Sequence, residues 1–409
     1  MSTTQRPKLI SIDAFAKTVE DARIRTTSGG IITLICVAIV LFLIRSEYLE
    51  YTTIITRPEL VVDKDINKQL DIHLDISFPN LPCDMISLDL LDETGDVQLD
   101  ILQSGFQKFR LIHDSNGQVT NEILDTDSQT LNNDISLYEL AKGLKDGEQG
   151  ECGSCYGALP QDKHQFCCNS CAAVRLAYAE KRWGFYDGSN IAQCESEGYV
   201  KRINARISTG EGCRVKGTSQ INRISGTLDF AAGASFTSGG QHVHDLSLYD
   251  KHPDKFNFDH TINNLAFGSV VPEVKSTHSL DGHKTELGKK AHLFSYYLKV
   301  VATRYEYLFT KKATIDTNQF SVITHDRPLK GGKDEDHEHT FHARGGVPGV
   351  FFHFDISPLK IINREEYAKT WSGFVLGVIS SIAGVLMVGT LVDRSVYAAE
   401  KVIRTKKDL

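Results

Sequence analysis

The last apolar run of the chain, Trp371 to Val392, holds 22 residues without a charge. At a rise of about 1.5 Å per residue, a helix of that length spans roughly 33 Å, the thickness of a bilayer's hydrocarbon core. It is therefore expected to cross a membrane, and everything upstream must be sorted by side. Residues 393–409 carry five basic against three acidic side chains and finish Lys406-Lys407-Asp408-Leu409, so the positive-inside rule puts that end in the cytosol. Gly373, Gly377, Ser380, Ser381 and Gly384 form a small-residue stripe along the run, against which another helix could pack closely.

A second run, Thr26 to Ile44, is nineteen uncharged residues between Arg25 and Arg45, preceded by a weakly basic leader, residues 1–25. No small-x-small cleavage site follows it before Arg45-Ser46-Glu47, so it reads as an uncleaved signal-anchor with its leader in the cytosol. The expected domains are a cytosolic segment 1–25, span 26–44, a lumenal domain 45–370, span 371–392 and a cytosolic tail 393–409. Setting aside the ends and Arg45 leaves 34 basic and 46 acidic residues between 46 and 370. That balance argues against a nucleic-acid partner.

Within that loop, Leu70, Ile72, Leu74, Ile76 and Phe78 alternate with polar residues, the signature of a half-buried strand. Ile86, Leu88 and Leu90, then Glu93-Thr94-Gly95-Asp96, then Val97, Leu99 and Ile101 predict a hairpin. Residues 113–133 read as a loop and 134–145 as a short helix. Further strands are predicted at Tyr199–Ile207, Gly226–Phe230, Phe294–Tyr307, Phe320–Thr324 and Val350–Ile356, and a surface loop at Arg327–Gly346. The fold class is mainly β: an antiparallel sandwich with a cysteine-rich helical insertion, anchored by two transmembrane helices.

Eight cysteines lie in the loop: Cys83, Cys152, Cys155, Cys167, Cys168, Cys171, Cys194 and Cys213. An even number in an oxidising compartment favours a disulfide framework, although eight allow 105 pairings. Seven fall between 152 and 213, so they are expected to staple a local subdomain rather than the whole sandwich. The two CxxC units, Cys152 to Cys155 and Cys168 to Cys171, also admit an exchangeable redox pair or a zinc knuckle. Residues 171–183 read as a helix, and a helix N-terminus lowers the pKa of a thiol placed there. No βαβ pattern of a thioredoxin kind surrounds either unit.

All fifteen histidines lie between 46 and 370. A fall from pH ~7.2 to ~6.2 takes an unperturbed histidine from about one-sixth to about two-thirds protonated, so the set would gain roughly seven charges. His242 and His244 are the leading pH-sensing candidates, with His337, His339 and His342 as a second group. His-x-His also suits a metal, but no third ligand can be assigned from the sequence, and no metal site is predicted. HEHTFH at His337 to His342 is not HExxH, and no nucleotide-binding or nucleophile-elbow motif appears. No catalytic residue and no cofactor is assigned.

Asp13-Ala14-Phe15 with Lys17, Asp21, Arg23, Thr26 and Ser28-Gly29-Gly30, the CxxC and CCxxC units, HVHDL at His242 to Leu246, and GVPGVFFHFDISPL at Gly346 to Leu359 together resemble a known family. It is the eukaryotic ER-vesicle or ER–Golgi intermediate compartment protein family, in particular its larger, cysteine-rich subunit, and the likeness covers nearly the whole chain. The resemblance implies a non-enzymatic cargo receptor that cycles between ER and cis-Golgi and retrieves escaped ER residents in a pH-dependent manner. It implies a smaller homologous two-span subunit as partner, lumenal cargo, and COPI and COPII coats at the cytosolic ends. Lys406 and Lys407 match the family's dilysine retrieval signal, an address rather than an anchor. Val396-Tyr397 stands where relatives often carry a Phe-Tyr export pair. The rival reading is a lumenal thiol-disulfide oxidoreductase acting through a CxxC pair.

Overall fold

The structure, a computed structural model, describes residues 27–64, 69–94, 97–98, 105–114, 119–125, 153–158, 167–238, 241–252, 255–270, 279–309, 313–331, 339 and 344–407. The chain divides into two compact units, Met1–Arg57 with Arg364–Leu409, and Pro58–Asn363. Helix α1 (Thr27–Thr52) is followed by strands β1 (Ile54–Val62), β2 (Gln69–Phe78), β3 (Ile86–Asp92), β4 (Val97–Gln98), β5 (Phe106–His113) and β6 (Val119–Leu124). A helical layer follows: α2 (Cys171–Glu180), α3 (Ala192–Ser196) and α4 (Tyr199–Thr209). The chain then returns to strands with β7 (Gly212–Asn222), β8 (Gly226–Ala232), β9 (Ser235–Ser238) and β10 (Gln241–His244), a short helix α5 (Ser247–Lys251), and β11 (His260–Phe267), β12 (His283–Thr285), β13 (His292–Glu306), β14 (Ile315–Pro328) and β15 (Gly349–Tyr367), before α6 (Trp371–Lys407).

Among the described residues the strands form a seven-stranded sheet, ordered β14-β13-β15-β8-β3-β4 with β1 on β15, and a six-stranded sheet, β12-β11-β2-β7-β5-β6, plus the β9–β10 hairpin. Leu70, Ile72, Leu74, Ile76 and Phe78 all point inward from β2. They meet Leu88 and Leu90, Leu228 and Phe230, Phe294, Tyr296, Leu298 and Val300, and Phe352 and Phe354 in one core between the sheets. Phe78 touches Phe230 at 5.4 Å between ring centroids, and Phe230 meets Phe352 edge-on. Removing such a side chain from water contributes about 1.5–3 kcal/mol, which is why the period-2 pattern is enough to specify the face.

Two sequence expectations are corrected. Residues 199–207 form a helix, α4, rather than a strand: Tyr199, Ile203, Arg206 and Ile207 are the buried set, a spacing of four, three and one that fits a helical face. Gly198 (φ 70) and Gly210 (φ 66) bracket it, the latter a left-handed residue that ends the helix. The expected loop 113–133 contains β6, an edge strand exposed at all six positions, so it carries no apolar alternation to read. The predicted spans overlap longer helices: apolar stretches long enough to cross a membrane run Gly29–Thr52 and Trp371–Val396, and helical backbone continues to Lys407. The predicted helix at 134–145 lies outside the described residues, as does most of the predicted loop after Pro328.

In the helical unit, α1 and α6 pack against each other through small residues. A Cβ on Gly377 would lie 2.7 Å from Glu47 Oε2, and one on Gly389 would lie 2.7 Å from Cys36 Sγ. Gly384, from the predicted stripe, faces open space, and Gly389 replaces it in the contact. At one end Lys369 Nζ reaches Glu47 and Glu50, each at 2.7 Å, beside the ring cluster Tyr48, Tyr51, Tyr367, Trp371 and Phe374. Aromatic rings of this kind settle at the membrane–water boundary.

Candidate functional site

The helical layer is built on disulfides that cross between motifs. Ser170 accepts from the Ala173 N–H and starts α2, which places Cys171 at its first turn. Cys171 then bonds Cys194 on α3, and Cys168 bonds Cys155. None of the three described CxxC cysteines, Cys155, Cys168 and Cys171, therefore pairs within its own motif. Cys167 is also disulfide-bonded, and Cys152 lies outside the described residues. Cys213 departs from the expected local staple: it bonds Cys83 across 130 residues, joining the start of β7 to the turn between β2 and β3. That bond ties the sandwich itself.

Polar contacts lock the layer further. Gln193 Nε2 donates to the carbonyls of Ser154 (2.9 Å) and Cys168 (2.6 Å), and the Ala192 N–H donates to Tyr156 Oη at 2.8 Å. Arg206, 3% exposed on α4, bridges Asp84 beside the Cys83 bond and Asp125 at the end of β6. The layer presents Tyr156, Trp183 and Tyr186 to solvent, and Trp183 lies within 4.0 Å of where a Gly157 Cβ would stand.

The second cluster sits on the hairpin after β8. Gly233 (φ +81) lets the backbone pass against the Asp245 carbonyl, which a Cβ would approach to 1.9 Å. The hairpin register then sets Ser235 opposite His244, with His242 two residues away on the same face. Both rings turn to Asp89 on β3: His242 Nε2 lies 3.5 Å and His244 Nε2 lies 3.8 Å from Asp89 Oδ2, and the two Nε2 atoms are 2.8 Å apart. Ser235 Oγ donates to Asp89 Oδ1 at 2.7 Å, and Ser87 Oγ is 3.2 Å from His244 Nδ1. Asp229 on β8 is the cross-strand partner of Asp89. Burial, reinforced by the Asp89 charge, pushes the Asp229 carboxyl up to about 7. Burial also pushes His244 down to about 4, so its ring is neutral at both ends of the pH ~6.2 to ~7.2 interval.

Sequence reading paired the two histidines but not Asp89, because a strand residue 153 positions upstream of His242 is brought there only by the β3–β8 pairing. His339 is exposed, while His337 and His342 lie outside the described residues. Backbone of α6 reaches Lys406 and Lys407, and Val396 is half-buried on it beside Tyr397.

These features define a membrane-anchored, disulfide-stapled β-sandwich protein with one candidate spanning helix before the sandwich and one after it. The chain belongs to the endoplasmic reticulum vesicle transporter and ER–Golgi intermediate compartment family, a group of ER–Golgi transport proteins. The model described as endoplasmic reticulum vesicle transporter matches residues 155–393, and that of the Endoplasmic Reticulum-Golgi Intermediate Compartment (ERGIC) family matches residues 9–99. The ER-derived vesicles protein ERV46 of Saccharomyces cerevisiae is 43% identical, over 98% of this chain and 99% of that one. Endoplasmic reticulum-Golgi intermediate compartment protein 3 of Dictyostelium discoideum is 36% identical over 98% of each chain, and protein 2 of the same name in Mus musculus is 26% identical over 94% of this chain and 88% of that one. A crystal structure of Erv41p is 20% identical with a TM-score of 0.39, covering 75% of this chain and 99% of that one.

Proposed function

We propose that this chain is a cargo receptor rather than an enzyme, cycling between ER and Golgi and returning escaped ER residents, with capture favoured at the lower lumenal pH. The observation that carries this reading is the disulfide connectivity of the helical layer. Cys168 and Cys171 bond to Cys155 and Cys194, not to each other, so they make a rigid frame under exposed Tyr156, Trp183 and Tyr186. A pre-ordered aromatic surface suits protein binding, because ordering costs are met before contact. The sandwich lies in the lumen and both termini in the cytosol, where Lys406-Lys407 addresses the COPI coat and Val396-Tyr397 serves export through COPII. A smaller homologous two-span subunit completes the receptor. Its pH dependence comes from lumenal histidines, whose reference pKa lies nearest the interval in question.

The test is a pull-down of secretory-pathway proteins on the purified full chain with its smaller partner, at pH ~6.2 and ~7.2, with thiols alkylated at lysis. Non-covalent recovery of ER residents at the lower pH alone is the expected result. Thiol-sensitive recovery at both pH values would instead support the oxidoreductase reading.

A further inference from the structure

The hairpin of β9 and β10 brings two ligand-type atoms from β10 to a third from β3. As a plain hydrogen bond, the two imidazoles would meet Nε2 to Nε2 at 2.8 Å and leave Asp89 Oδ2 at 3.5 and 3.8 Å, beyond hydrogen-bond length to either ring. A tetrahedral zinc ion with bonds of about 2.0–2.1 Å sets its ligand atoms about 3.3 Å apart. The three observed edges bracket that value. The outer groups are also those of a metal site: Ser87 Oγ holds His244 Nδ1 and Ser235 Oγ holds Asp89 Oδ1, leaving each opposite atom aimed inward.

A second observation points to a cation. Asp229, 8% exposed, is paired in register with Asp89, so two carboxyl groups sit side by side on one face of the sheet. Like charges in directly opposed positions repel, and Asp229 Oδ1 has no hydrogen-bond partner among the described residues. A divalent ion between the histidines and the carboxyl groups answers both facts.

We propose that Asp89, His242 and His244 form a zinc site, with a water as the fourth ligand and Asp229, beside Asp89, to orient it. Two imidazoles with one carboxylate suit zinc's borderline softness. The groups are almost enclosed, with side-chain exposures of 0% for Asp89, 5% for His244 and 16% for His242, so the site is structural and is reached from the His242 side. The ion fastens the hairpin to β3. It also braces the cysteine layer through the next residue, because Asp245 accepts the Phe185 N–H at 3.2 Å and the Ser247 N–H at 3.1 Å. This role is independent of the receptor reading.

The experiment uses the detergent-solubilised full chain without a histidine tag, dialysed free of loose metal and assayed by elemental mass spectrometry. About one zinc per chain is expected by the ligand count, with the H242A/H244A double variant and Asp89→Asn losing it and His339→Ala retaining it. If the double variant fails to fold, the unaltered chain still decides. After chelator stripping, added Co2+ should give the intense visible bands of a tetrahedral site, and zinc in large excess over its Kd should raise the melting midpoint by roughly 5 °C. A stripped chain that takes up no cobalt and is not stabilised by zinc overturns the site. So does a folded double variant that holds as much zinc as the parent.

Discussion

His260 shows what burial does to a single titratable group. Its Nδ1–H donates to the Phe258 carbonyl at 2.8 Å, so Nε2 accepts from Tyr296 Oη at 2.7 Å and the neutral ring is fully satisfied. Burial pushes its pKa down to about 4. The unfolded chain binds this proton near pH 6.5 and the folded one near 4, so His260 supports stability fully above about 6.5. That support is lost as pH falls from there to 4, in total about 3 kcal/mol, and less than about 1 kcal/mol of the loss falls above pH 6.2. Urea unfolding at pH 7.5, 5.5 and 4.5 should show this arm, and His260→Gln should flatten it. Arg206 is the opposite case, a buried charge held by Asp84 and Asp125. Arg206→Ala leaves two buried carboxylates without their cation and should cost about 3–5 kcal/mol in the same assay. The sequence showed both residues but neither role: the partners of Arg206 lie 122 and 81 positions away.

Elements were legible where one face repeated cleanly. Strand β2 and the long strands β13 and β15 carry enough alternating apolar side chains to be read directly, and α2 has its Ser170 cap. In β7 the inward set Cys213, Val215, Ser219 and Ile221 includes a serine, and in β11 the register shifts between Ile262 and Asn264, so the period of two is broken in both. The helix pair carries a prediction of its own. Gly389→Cys should cross-link to Cys36 under mild oxidation, seen as a joined peptide by mass spectrometry, whereas Gly384→Cys, which faces open space, should not. For the cysteine layer, W183A/Y186A should lower cargo recovery by about tenfold or more, the scale of truncated aromatic anchors, without moving the melting midpoint. An unchanged recovery would remove that surface from the receptor reading.

For the whole molecule, the family's transport role and the address proposed for Lys406-Lys407 make a prediction about location. Replacing Lys406 and Lys407 with serine should shift the chain from the ER toward the Golgi and beyond by fluorescence microscopy, leaving the fold unchanged. The two helices long and apolar enough to span, the sandwich class, the helical insertion and the family likeness were all present in the sequence, because a lipid-crossing length and a two-sided core leave one-dimensional patterns of length and period. The cysteine connectivity, the helical state of 199–209, the Arg206 triad and the meeting of Asp89 with His242 and His244 were decided only by tertiary structure. Each depends on contacts between segments distant in sequence, and no local period records which distant strand or loop will supply the partner.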